Sequence, residues 1–185
     1  MNVFQLIQTL VATIVGGLIV IATNWISQQE ERRGAIQEWY EKTYVTDGLD
    51  QVVAYFFGLG VYFGNKSVGG FVRVRDIDTL PVEAIIRLEI LLADAIVFDF
   101  LAASHQLLIS QDQEQNEKAA QIMYRTAVLL LNFRKELLKI IATKVSTKHY
   151  TIDASSIVEK LYKEGDEMAV LAGYERLKRE AKQSA

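Results

Sequence analysis

The chain has 185 residues, a formal net charge of −3 and no cysteine. That length allows one domain plus a short appendage. The charge leaves no global basic field for nucleic acid, and the missing cysteines exclude disulfides, thiolate metal sites and cysteine nucleophiles.

Residues 3–26, VFQLIQTLVATIVGGLIVIATNWI, hold no charge and no proline. As a helix rising ~1.5 Å per residue, such a run covers the ~30 Å hydrocarbon layer of a bilayer. It predicts a transmembrane anchor over 1–27. Steps of three and four put Phe4, Ile7, Val11, Ile14, Leu18, Ile21 and Trp25 on one face. Gln5, Thr9, Ala12, Thr13, Gly16, Thr23 and Asn24 lie on or beside the opposite face, which is small or polar. Small residues let helix backbones approach, and amides and hydroxyls bond between helices at roughly 0.6–2 kcal/mol each. This face therefore reads as an oligomer seam, a dock for another membrane protein, or the lining of a narrow pore. A pore lined by uncharged Gln and Thr would select ions poorly. No basic residue precedes the run, and Arg32 and Arg33 follow it. The expectation is an uncleaved, single-pass span with the C-terminal part in the cytoplasm.

Residues 28–46 continue as a juxtamembrane stalk helix, with Glu38 and Lys42 one turn apart and Gly34 as its weak point. Asp47-Gly48 is expected to break the chain. A bundle of about four helices then occupies 47–185. Residues 49–64 are apolar and aromatic but too short to cross a bilayer, so they read as a core helix. Gly60 and Gly64 are spaced for close backbone approach. Residues 65–79 are the one non-helical stretch, with alternation at 71–75 that predicts a short extended loop. Lys66, Arg73 and Arg75 beside its glycines form a candidate anion-binding loop, although no phosphate-loop spacing is present.

A long central helix is predicted over 81–110. Asp94 and Asp99 near its middle cost roughly 5–7 kcal/mol against membrane insertion, more than its apolar side chains return. Glu83, Arg87, Asp94 and His105 fall within one arc of it. Asp94 and His105 stand ~16 Å apart along the axis, too far to touch, so the four read as a polar stripe. Residues 117–145 form an amphipathic helix with Ile122, Met123, Ala127, Leu130, Phe133, Leu137 and Ile141 as its buried face. Its basic C-terminal half suits the helix dipole and would also suit anionic headgroups. Ser156 and Glu159 make a capping box for a last helix that Gly165 and Gly173 weaken.

No nucleophile elbow, Walker loop or His-Glu-x-x-His is present. Helical bundles with an Arg four to six residues before a His resemble the HEPN ribonucleases. Here Lys144, not Arg, stands five before His149, so RNA cleavage does not follow. The sequence thus predicts an all-α protein: one N-terminal transmembrane helix, then a cytoplasmic bundle of about four helices with one short extended loop. The expected function is non-enzymatic, without metal or cofactor. The chain would self-associate through its span as an assembly module, an auxiliary subunit of a larger membrane complex or a small homo-oligomeric pore, with the bilayer and its own copies as partners. The alternative is a membrane-tethered enzyme acting on a phosphate-bearing or nucleic-acid substrate through His105 or His149 with Arg73 and Arg75.

Overall fold

A computed structural model of the chain describes residues 3–70, 80–109, 111–144 and 153–183, and side chains from residue 15 onward in the first helix and up to 143 in the fifth. The described residues contain no strand. In chain order they form α1 (Val3–Tyr40), a π-helical segment (Glu41–Leu49), α2 (Asp50–Ser67), α3 (Val82–Leu92), α4 (Ile96–Leu107), α5 (Gln113–Lys144) and α6 (Ser155–Gln183).

The expected break at Asp47-Gly48 does not occur. Tyr40 and Asp50, at the two ends of the π segment, both keep right-handed helical angles, so α1, the π segment and α2 run on as one rod. Tertiary packing overrides the turn signal. Val45 and Leu49 are fully buried, Asp47 pairs with Arg87 of α3 at 3.3 Å, and Asp50 grips the Arg134 guanidinium of α5 at 2.5 and 3.1 Å. Gly48 serves close approach: a Cβ there would stand 3.3 Å from the Thr43 carbonyl oxygen and 3.6 Å from the Arg87 Cβ. π geometry rarely lasts beyond a single turn, so the packing on both sides must hold this one. The helix also passes through Gly34 without interruption.

The anchor over 1–27 is corrected. Among the described residues, no helix is long and apolar enough to cross a membrane. Among the described side chains of α1, the apolar residues 15–26 give way to SQQEERR, whose charges a bilayer interior does not accept. With the span go the single-pass topology, the pore and the argument that placed the bundle in the cytoplasm.

The predicted central helix over 81–110 is two helices. α3 ends at Ala93, which sits in the left-handed region at φ 54°. The Asp94 carboxylate accepts from the Ile96 amide at 2.9 Å, and the Glu89 carboxylate accepts from the Phe98 amide at 3.0 Å. These bonds satisfy orphan amides at the start of α4 and close α3. The core gathers around α5, whose seven predicted inward residues are all buried. α2 lies antiparallel on α5. A Cβ on Gly60 would come within 2.9 Å of the Tyr124 ring, and one on Gly64 within 3.9 Å of Ala120, which bears out the close approach. Phe56 of α2 meets Phe100 of α4 edge-on at 5.2 Å. α5 begins at Gln113, capped by the Asp112 carboxylate, which accepts from the amides of Glu114 and Gln115. α6 is capped by Asp153 rather than Ser156, and runs through Gly165 and Gly173 unbroken. Gly165 is buried against Phe100 of α4, where a Cβ would stand 3.2 Å from the ring.

Candidate association surface

Residues 15–28 of α1 are exposed throughout. At about 100° per residue, Val15, Leu18, Ile19, Ile21, Trp25 and Ile26 cover one broad side of the helix. Each is between 48% and 66% exposed. The other side carries Gly16, Gly17, Val20, Thr23 and Asn24, where a Cβ on either glycine would meet nothing within 4 Å. The Thr23 hydroxyl donates to the carbonyls of Ile19 and Val20 at 2.8 and 3.0 Å, so it is spent within its own helix rather than offered across a seam. Gln5, Thr9, Ala12 and Thr13 lie outside the residues whose side chains are described. Burial of apolar area drives association in water, and the large apolar side offers the more of it.

Gln37 fixes where this helix leaves the bundle. Its amide donates to the carbonyls of Ile141 and Ala142 in the last turns of α5, at 3.1 and 3.2 Å. Along the rod, Asp50 is level with Arg134 and Gly60 with Tyr124. Residue numbers fall along α1 as they rise along α5, so 15–26 overhang the end of α5.

A second uncovered apolar surface lies between α5 and α6. A shallow hollow of about 520 Å³ is lined by Lys118, Gln121, Ile122, Arg125, Asp166, Glu167, Val170 and Leu171. A neighbour of about 360 Å³ shares Arg125 and adds Tyr124, Val128, Leu129 and Asn132. The two meet at Arg125 and make a trough, walled by α5 and α6 from Lys118 to Arg125 and by α5 alone from there to Asn132. Val128 is 50% and Val170 71% exposed, and the buried Ile122 lines the first hollow. Only part of it was legible in the sequence: Val170 begins an apolar repeat with Tyr174 and Leu177, on a side of α6 separate from its buried face, and of these Val170 lines the hollow. Arg125 bridges the helices, binding Glu164 at 3.0 Å and also Glu167. Glu167 and Glu164 hold the guanidinium firmly charged, while burial pushes the Glu164 carboxyl upward against the pull of Arg125.

The other expected sites are dispersed. Lys66 is in the last turn of α2, with its ammonium on the Leu108 carbonyl at 2.5 Å and over the Tyr62 ring. Burial lowers its pKa and the Glu175 charge opposes the shift. Arg73 and Arg75 lie outside the described residues, as does His149. The polar stripe is split by the turn at Ala93. Glu83 and Arg87 pair with each other and, through Arg87, with Asp47. Asp94 caps α4 and accepts from the Tyr162 hydroxyl at 3.0 and 3.1 Å, which raises the Tyr162 pKa. His105 is exposed near the far end of α4. Among the described residues no three His, Asp or Glu side chains converge on a metal position.

Comparison with family models, curated proteins and solved structures finds no significant match.

Proposed function

We propose that the chain is an assembly module whose bundle is a folded platform and whose α1 joins it to further copies of itself. The observation that carries this reading is the overhanging helix with six large, exposed apolar side chains on one side and none of the described residues packed over them. Side chains already half exposed gain about 1 kcal/mol each on full burial, so two such helices together offer on the order of 10 kcal/mol. That is comparable with the ~4–15 kcal/mol cost of immobilising a partner, which makes association concentration-dependent rather than permanent.

The test is the mass of the full chain in solution by sedimentation across micromolar concentrations. The expected result is a species above 20.9 kDa. Leu18→Glu or Ile21→Glu should return it to the monomer mass, and Asn24→Ser, on the other side, should not. A wild-type chain that stays monomeric at every concentration overturns the reading. So does a single copy that floats with phosphatidylcholine vesicles, because lipid would then be what covers the helix.

A further inference from the structure

Resting on that assembly reading, we infer that the apolar run of α1 docks in the α5–α6 trough of a second copy, and that the exchange is reciprocal. The surfaces match in chemistry: the trough presents Val128, Leu129, Val170 and Leu171 to a helix that presents Leu18, Ile21 and Trp25. Lys118, Arg125, Asp166 and Glu167 would supply the polar rim that such contacts carry.

The occupant cannot be the chain's own α1. Gln37 seats that helix at the C-terminal end of α5, and the rod proceeds from there away from residues 118–132. A second copy has no such constraint. Two copies related by a two-fold axis would each insert a helix into the other, an isologous arrangement. Reciprocal insertion covers four apolar surfaces for one loss of translational and rotational freedom, whereas pairing of two α1 helices covers two and leaves both troughs bare.

The arrangement is tested by complementation with the full chain. Leu18→Glu disables the helix but keeps the trough; the double variant Val128→Glu with Val170→Glu disables the trough but keeps the helix. Both trough positions are at least half exposed, and an unchanged far-UV spectrum and melt confirm that each variant folds. Alone, each should associate at least tenfold more weakly than the wild type. Mixed in equal amounts, they should form a heterodimer, because one intact helix then meets one intact trough. A trough variant that assembles like the wild type, while Leu18→Glu does not, overturns this inference and leaves self-association through α1 standing. A trough variant that is defective but not rescued by the mixture also overturns it. A wild type that never associates removes both.

Discussion

Two glycines show how one residue type takes opposite values from its surroundings. Gly34 sits mid-helix and exposed, and a Cβ there would meet nothing within 4 Å. Gly34→Ala should raise stability by about 0.5–1 kcal/mol by restricting the unfolded chain. A Cβ on Gly60 would come within 2.9 Å of the Tyr124 ring. Gly60→Ala should lower stability by about 1 kcal/mol or more, as the ring is displaced from α2. Urea midpoints of the two variants should move in opposite directions. Thr126 offers a third case. It is fully buried, and its hydroxyl has no hydrogen-bond partner among the described residues. Thr126→Val keeps the shape and removes the orphan group, so a gain of about 1 kcal/mol is expected in the same measurement. A loss would reveal that the hydroxyl is satisfied. Of these, the packing role of Gly60 was legible in its spacing from Gly64, while the isolation of Thr126 was not, since it depends on which helices surround it.

At the scale of elements, the turn between α3 and α4 shows where reading a pattern falls short. ILLADAIVF contains neither glycine nor proline and keeps helical periodicity. The turn nevertheless forms, because Glu89 and Asp94 cap the second helix and Tyr162 holds Asp94 from α6. Ala93 then occupies a left-handed conformation that costs a non-glycine residue roughly 1–2 kcal/mol. Ala93→Gly should therefore raise the thermal midpoint by an amount corresponding to about 1 kcal/mol. A lower midpoint would mean that residues 93–95 are helical in solution. The π segment teaches the converse. Asp47-Gly48 has the composition of a turn yet stays helical, held by Arg87, Arg134 and the burial of Val45 and Leu49.

The whole molecule joins a bundle to an overhanging helix, and the bundle's ends are tied by charge. Asp112 holds α5 to α6 through Lys178 at 2.7 Å. The hydrogen bond from Lys178, then that from the Gln115 amide, lowers the Asp112 carboxyl below its ordinary 3.8. A carboxyl depressed on folding contributes stability fully above its unfolded value, and loses that contribution as pH falls through the folded one. Asp153, held low by Ser155, adds a term of the same sign. Stability should thus be level from about pH 5 upward on this account and fall below about pH 4. Asp112→Asn keeps the cap but loses the ion pair, so its melting temperature should lie below the wild type at neutral pH and converge with it in acid. A constant gap across pH would show that the pair contributes nothing.

The helical class, the inward face of α5, the core role of residues 49–64 and the two-sided character of α1 were determined by the sequence alone, because each is a periodic pattern within one segment. What lay beyond it was whatever depends on a second segment. The sequence suggests a span at residues 3–26, yet among the described residues no helix is long and apolar enough to cross a membrane. The stripe of Glu83, Arg87, Asp94 and His105 dissolves at a turn fixed partly from α6. The trough exists only because α5 and α6 pack with Val128 and Val170 left outside. Periodicity records which side chains leave water; which neighbour receives them is settled by long-range contacts that no local window contains.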